Sequence, residues 1–367
     1  MHTLVPRDEV ATRSHDLENL GFHVLSVDAV PDRPDMGLIQ FDSADPEGLP
    51  QTVAVDAALI PTQIATIQGI VNLFETGSVL GDYGGVTVIK GDTGHLTFGR
   101  SQTTLGSGNL ALMLQQYCAN PGARFATRLL PYLSRFAARD LSLDDDQKLH
   151  NVLRATADDP VMRETQDQFF DRNYWMPARR AATLLRLRTP LGVAVVYDSH
   201  VHGSFALIRD RTKKQIGLPS EAGEQRWISE YVRLRREWLS AGRADLQPTV
   251  YRMDCFQRLI DNGQWALTLP LVVRREEISI ATLNATPPGC HDGPEPGTRA
   301  LALSSPLLRG LDVRRVQLAL SDRGFDTRAD GIFGQASQKL IRAYQSAQGV
   351  PATGVLEPGA VLELLAG

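Results

Sequence analysis

IATIQGIVNLFETGSVLGDYGGVTVIKGDTGHLTFG, residues Ile64–Gly99, holds two periodicities in succession. Ile64, Ile67, Ile70, Val71 and Phe74 recur at helical spacing, which predicts a helix with Glu75 at its end and a break at Gly77. Val86-Thr87-Val88-Ile89 then reads as a strand, Gly91-Asp92-Thr93-Gly94 as its turn, and His95–Gly99 as the returning strand. A helix-end carboxylate followed by a hairpin with a second carboxylate can set two acids across a cleft. Glycosidic bonds are commonly hydrolysed by such a pair, one acid protonating the leaving oxygen and one carboxylate activating water or attacking the sugar. Glu75 follows the apolar Leu73-Phe74, and apolar surroundings raise a carboxyl pKa, so it is the expected acid. Asp92, in a polar turn, would stay ionised, and the Thr97 hydroxyl is of the right type to hold a water beside it. Spacing alone fits equally a solvated glutamate and a turn-forming aspartate.

Outward from this stretch, helical patterns dominate from Thr62 to Ser279, and the Gly- and Thr-rich insert Gly77–Gly108 interrupts them. An α+β, mainly helical fold is expected, with a small hairpin or sheet packed on a helical body. Residues 1–61 carry strand-like fragments, Phe22–Val27 and Gly37–Phe41, and suggest no chemistry. LNATPPGCHDGPEPGT, Leu283–Thr298, breaks every pattern with four prolines and three glycines. It marks a linker over 283–304, so that 62–282 forms one domain and 305–367 a small helical module. That module opens with Val313, Val316, Leu318 and Leu320 at amphipathic spacing and continues through a Gly/Asp turn to Leu340, Ile341 and Tyr344.

Composition excludes several classes. With 367 residues, 43% hydrophobic and 22% charged, the chain can bury a full core, and a net charge of -4 gives no footprint for nucleic acid. Cys118, Cys255 and Cys290 are odd in number and widely spaced, which makes neither a disulfide framework nor a metal cluster; two buried thiols and one linker thiol are expected. His200 and His202 would share a face of a strand with Asp198, but nothing completes a metal site, and neither metal nor cofactor is expected. Ser199 lacks the Gly-x-Ser-x-Gly elbow, and Gly94–Gly108 lacks the Lys-Ser/Thr of a phosphate loop. Arg179-Arg180 and Arg233, Arg235 and Arg236 read as solvated helix faces. No segment is long and apolar enough to span a bilayer, and Met1–Asp16 lacks the apolar run of a secretory signal. A monomer is expected, made in the cytoplasm and acting on the cell wall or outside the cell after non-classical release or delivery.

Several separated motifs resemble the family 46 glycoside hydrolases, mostly chitosanases with a lysozyme-like, two-lobed α+β fold. The family's catalytic strand reads approximately Asp-Gly-Arg-Gly-Tyr-Thr-x-Gly, and Asp92–Gly99 matches its Asp, Thr and final Gly, with Glu75 at the family's spacing upstream. Gly106-Ser107-Gly108-Asn109-Leu110 and Leu114-Gln115-Gln116-Tyr117 are similar to the opening of the family's long helix. Gln166-Asp167, Asp171-Arg172-Asn173-Tyr174, Tyr197-Asp198 with His202-Gly203, and Arg252, Asp254, Gln257 and Arg258 before Asn262-Gly263 follow in the family's order. The resemblance covers about Ile64–Pro270. It implies Glu75 as general acid, Asp92 as the base activating water, Thr97 as the water-orienting hydroxyl, and inversion at the anomeric carbon. It also implies substrate contacts from His95, Arg100, Asn109 and His202, and a buried ionic network of Asp198, Arg252 and Arg258 tying the two lobes.

Two departures bear on substrate. Asn109 replaces the family's acidic residue that recognises the amino group of glucosamine, and Gly94 replaces an arginine. A neutral amide cannot give an ammonium the charge-assisted bond that a carboxylate gives, so Asn109 suits a neutral or N-acetylated sugar. Residues 305–367 resemble peptidoglycan-binding modules through Val316-Gln317, Asp330-Gly331-Ile332-Phe333-Gly334, Tyr344-Gln345, Gly349 and Gly354, which nominates Asp330, Phe333 and Tyr344 for wall binding. The expectation is therefore an endo-acting hydrolase of a β-1,4-linked amino-sugar polymer, with peptidoglycan placed slightly ahead of chitosan. The alternative from another class is a non-catalytic wall-binding protein that kept the fold.

Overall fold

The computed structural model describes residues 2–11, 14, 22–30, 33–43, 59–89, 91, 93–100, 102–242, 244 and 246–366. In chain order come strands β1 (His2–Pro6), β2 (Phe22–Val30) and β3 (Arg33–Ser43), helix α1 (Pro61–Thr76), and strands β4 (Val86–Val88), β5 (Leu96–Phe98) and β6 (Thr103–Thr104). Helices α2 (Asn109–Cys118), α3 (Gln147–Ala155), α4 (Pro160–Phe170), α5 (Met176–Leu184), α6 (Pro190–Val201), α7 (Phe205–Ile216), α8 (Glu224–Ala241) and α9 (Tyr251–Asp261) follow, joined by shorter helical turns. The hairpin β7 (Leu271–Val273) and β8 (Glu276–Ile278) precedes β9 (Leu308–Arg309), α10 (Leu311–Asp322), β10 (Ile332–Phe333), α11 (Gln335–Ala347) and α12 (Pro358–Ala366). The chain divides into two compact units, Met1–Ile60 with Asn173–Ala266, and Pro61–Arg172 with Leu267–Gly367. The fold class read from the sequence, mainly helical with small antiparallel sheets, is the one observed.

The second of these units holds Glu75 and Thr97. Helix α1 starts on Pro61, whose missing N–H is no loss in a first turn, and buries Ile67, Ile70, Val71, Leu73 and Phe74. Tyr117 on α2 donates to Asp159 Oδ2 at 2.6 Å, and the same aspartate caps α4 through Val161 N. The stretch read as a linker joins the two blocks but is pinned along its length. His291 N donates to Asp158 Oδ1 at 2.8 Å, Arg163 pairs with Asp292 at 2.7 Å, and Leu311 N reaches Gly293 O at 3.1 Å. Cys290, read as a linker thiol, is 5% exposed, beside Tyr83 and Ala157.

Helix α10 explains the ordering. Val313, Val316, Ala319 and Leu320 fill the core of its own module with Leu301, Phe333, Ile341, Leu356, Val361 and Leu364. Leu318, on another face, joins a different core with Leu149, Val152, Leu153 and Phe125. Around it Asn151 Nδ2 donates to Ser321 Oγ at 3.0 Å and to Thr327 O at 2.8 Å, and Asn151 Oδ1 accepts from Ala329 N at 3.0 Å. The module is thus docked on α3. Shortening Leu318 to Ala should lower the stability of the whole chain by about 2–4 kcal/mol, read from urea unfolding by far-ultraviolet circular dichroism. A loss under about 1 kcal/mol would mean that this side chain is not part of a packed core.

The other unit contains an antiparallel sheet of order β1-β3-β2, with His2 opposite Gln40 and Pro6 opposite Met36. The fragments Phe22–Val27 and Gly37–Phe41 fall in β2 and β3 as expected. Helix α6 is buried from Pro190 through Ser199, as suits a helix apolar nearly all round. Its one acid, Asp198, is fully buried and lies between two guanidiniums, 2.5 Å from Arg235 on α8 and 2.7 Å from Arg252 on α9. Burial alone would push this carboxyl up, and the two arginines outweigh it and hold it below the usual range. Arg235, read as a solvated residue, has no exposed surface. It falls on the stripe Trp227, Ile228, Tyr231, Val232 and Leu239 that α8 buries, and the charge is affordable there only because Asp198 faces it.

His202 follows α6, with Nδ1 at 3.3 Å from Arg235 Nη2. Burial first, then Arg252 and Arg235, depress its pKa to about 4. The unfolded chain binds a proton at this imidazole below about 6.5, whereas the folded chain refuses it until about 4. Stability contributed by the neutral ring is therefore present above pH 6.5 and lost as pH falls to 4. All four tryptophans, Trp175, Trp227, Trp238 and Trp265, belong to this unit. Their fluorescence should report an unfolding midpoint that falls by several degrees across that window, and His202→Gln should flatten the fall; an equally steep fall in the variant would place the acid sensitivity elsewhere.

Candidate functional site

Glu75 stands one residue before the end of α1, half-buried beside the buried Phe74. The helix stops because Gly77, at φ 75°, turns its N–H back to Leu73 O at 3.2 Å, the left-handed closure that glycine adopts without strain. Two more contacts fix this end. Gln102 Nε2 donates to the Glu75 carbonyl at 2.8 Å, and Arg274 Nη1 donates to Leu73 O at 2.7 Å. Arg274 and Arg275 form the β7–β8 turn at φ 52° and 72°, a conformation that costs non-glycine residues about 1–2 kcal/mol. A guanidinium at a helix C-terminus is also favoured by the helix dipole.

Thr97 lies at the middle of β5, paired with Thr87 on β4 and Thr104 on β6. Its hydroxyl is half-buried and donates to His95 O at 3.1 Å. The three-residue strands are held from outside. Gln166 on α4, 2% exposed, accepts from Arg100 N at 2.8 Å and donates to Tyr83 O at 3.0 Å, clamping the two chain segments that flank the hairpin. Beneath them Arg100 pairs with Asp167 and lies 5.9 Å from the Tyr83 ring and 5.6 Å from the Phe170 ring. The Tyr83 hydroxyl donates to the same carboxylate at 2.7 Å, and burial raises the pKa of its phenol, so the proton stays on it.

The structure sorts the residues nominated from sequence. Glu75 and Thr97 belong to the same unit and to neighbouring segments linked by Gln102; Asp92 lies outside the described residues. Arg100 is 7% exposed and paired with Asp167. His95 is tied through Nδ1 to Asp144 Oδ2 at 2.9 Å, and Asp144 Oδ1 accepts from Leu96 N at 2.8 Å, so this ring is held against the hairpin's base. Asn109 opens α2, half-buried, with its N–H on Ser107 Oγ at 3.2 Å. His202 faces Arg235, and the His200–His202 strand face does not exist, because His200 sits in α6, where positions two apart diverge. Among the described residues no group of metal-ligating side chains forms. Asp198 and Arg252 form the network the resemblance implied, but within one unit. Arg258 stands outside it, donating to Cys255 Sγ at 3.0 Å.

The residues nominated for wall binding have partners within the module. Phe333 has no exposed surface, Asp330 Oδ1 takes Gln317 Nε2 and Ile332 N at 2.9 Å each, and Tyr344 stacks edge-on with Phe325 at 6.4 Å. Sequence reading missed Arg235, Asp144, Arg274 and Arg314 as partners. Of these only Arg235 carried a local signal, a charge on an apolar helical stripe.

The end of α1 that carries the half-buried Glu75 is thus tied by its backbone, through Gln102, to the segment between β5 and β6. Residues 69–271, more than half of the chain, match the family model of glycosyl hydrolase family 46, and residues 309–360 match the "Putative peptidoglycan binding domain" model. A chitosanase of Bacillus subtilis strain 168 is 26% identical over 238 residues, covering 60% of this chain and 85% of that protein. Among solved structures, the native chitosanase of Bacillus subtilis MY002 is 25% identical, with a TM-score of 0.53, over 61% of this chain and 100% of that one. A family 46 chitosanase of Gynuella sunshinyii, in complex with chitotetraose, is 24% identical, with a TM-score of 0.53, over 61% and 99%. The chain therefore belongs to glycosyl hydrolase family 46, a glycosidase that also carries a C-terminal domain of the peptidoglycan-binding type.

Proposed function

We propose that this glycosidase hydrolyses chitosan at internal β-1,4 bonds, with Glu75 as general acid, Asp92 as the carboxylate that activates water, Thr97 as the hydroxyl that orients that water, and inversion of the anomeric carbon. The observation that carries this reading is the chitosanase relative of Bacillus subtilis, 85% of whose length is matched. The position of Glu75 at the end of α1, on a segment that Gln102 ties to the one between β5 and β6, supports a role for it beside Thr97. Peptidoglycan, favoured by the sequence alone, loses ground on two counts. The proteins it resembles are chitosanases, and Asp330 and Phe333, the residues nominated to grip a wall, are engaged inside the module. Asn109 remains the one residue that argues for a neutral sugar.

Incubation with chitosan should release reducing ends, and Glu75→Gln should lower kcat by about three orders of magnitude, within the range that general acid catalysis contributes, while leaving the fold intact by circular dichroism. A glutamine variant as active as the wild type would remove Glu75 from the mechanism. Reducing ends released from purified peptidoglycan and not from chitosan would overturn the substrate assignment. Proton magnetic resonance of the first-formed ends reads the anomer directly, and retention would sink the inverting role of Asp92.

A further inference from the structure

Helix α10 sends several charged side chains out of its own module, Arg315 over the Phe125 ring and Asp322 to Arg128 among them, and buries one of them. Arg314 is 2% exposed. Its Nη1 donates to the carbonyl of Arg154 at the end of α3, and its Nη2 to the carbonyls of Gly289 and, at 3.4 Å, Asp330. Its Nε approaches Asp158 Oδ2 to 2.9 Å, an ion pair without hydrogen-bond alignment. The turn that enters β4 lies against the same guanidinium: a methyl group placed on Gly84 would stand 3.7 Å from Nη1 and 3.1 Å from Ala157 Cβ. On either side of Gly84 the chain is committed to the hairpin's support. Tyr83 packs on Ala157 and Cys290 and bonds Asp167, and Gly85 O accepts from Gly99 N at 2.8 Å.

A buried guanidinium is a costly way to hold two blocks together, since apolar contacts of the same volume would do so as well or better. What it offers in exchange is geometry. A planar fork with five donors, satisfied by three carbonyls and facing a carboxylate, fixes the backbone of Arg154, Gly289 and Asp330 against one another. The Tyr83–Gly85 segment rests on the surface so formed. We propose that Arg314, supplied by the C-terminal module, is a positioning residue of the hydrolase, fixing the turn at 82–86 and through it the hairpin that bears Thr97. The inference rests on chitosan hydrolysis through Glu75.

The test is steady-state chitosan kinetics at 25 °C on the full chain and three variants. Arg314→Met, which keeps the stem and loses the donors, should lower kcat about tenfold with KM within about twofold, the pattern of a displaced catalytic group rather than a lost binding contact. Arg314→Lys, which keeps the charge but cannot reach three carbonyls, should recover part of the loss. Leu318→Ala weakens the same interface away from the turn, and should reduce stability while keeping kcat within about twofold. Wild-type kcat in Arg314→Met would overturn the proposal, as would a kcat loss in Leu318→Ala that matches it, since general loosening would then suffice. If Arg314→Met does not fold, Arg314→Lys decides: a kcat about threefold or more below wild type supports the role, and an unchanged kcat removes it. An inactive wild type would sink the chitosan reading and this proposal with it, whereas an active wild type with an undiminished arginine variant sinks the proposal alone.

Discussion

The support of the hairpin depends on one side-chain amide. Strands of two and three residues cannot hold themselves, and β4–β5–β6 is made of such strands. Gln166 acts in place of the missing length. Its Oε1 takes the Arg100 N–H and its Nε2 gives to the Tyr83 carbonyl, so the segments before β4 and after β5 are tied to a single point on α4. Both ends of the amide are used, which leaves no freedom to flip. The same closeness dictates Gly99. At φ 81° with Gln166 Oε1 only 2.4 Å from where a Cβ would stand, no other residue fits without moving the clamp. Asp167, the next residue on α4, then receives Arg100 and Tyr83 from the two tied segments, so consecutive positions of one helix hold the hairpin by backbone and by side chain.

Buried charge is the second recurring constraint, and two aspartates show how local geometry decides the balance. Asp198 and Asp158 are both nearly inaccessible, and burial pushes both carboxyls toward the neutral form. Asp198 has a guanidinium bonded to each oxygen, and their combined attraction wins, leaving it below the usual range. Asp158 has one misaligned arginine and one backbone N–H, and burial wins, raising it to about 6. The first arrangement behaves as a permanent ionic staple between α6, α8 and α9. The second is a softer contact, whose partner Arg314 has its own pKa lowered, chiefly by the same burial.

Local sequence made legible what is local in physical origin. The helix ending at Glu75 follows from apolar spacing and Gly77, the hairpin from β-branched residues and a Gly-rich turn, and the β2 and β3 fragments from their own composition. The positions of Asp198 and Arg252 came only with the family resemblance, because nothing in their immediate neighbours marks them. Partners that are distant in sequence were not legible. Arg100 reads as a cation beside a catalytic strand, and only Asp167, 67 positions away, shows that it faces inward. His95 is claimed by Asp144 and Phe333 by a core assembled from α10, α11 and α12. Proline and glycine content leads 283–304 to be read as a linker, but such composition is silent on whether a segment is loose. Here single bonds from His291, Asp292 and Gly293, and burial of Cys290, hold it in place.

That distinction changes what the C-terminal module can contribute. A module on a flexible tether acts by raising the local concentration of enzyme over the reach of its linker, and the orientation of the polymer it holds is free. Here α10 is buried nearly all round, with Leu318 and Arg314 given to the hydrolase segment and Val313, Val316 and Leu320 to the module. A helix shared in this way cannot leave one core without stripping the other. Any glycan held on the exposed faces of this module would therefore be presented at a fixed distance and angle to the segment bearing Glu75 and Thr97. Binding and cleavage would then share one frame, and loss of the Arg314 bonds in particular would be felt at the hairpin before it was felt in affinity for the polymer.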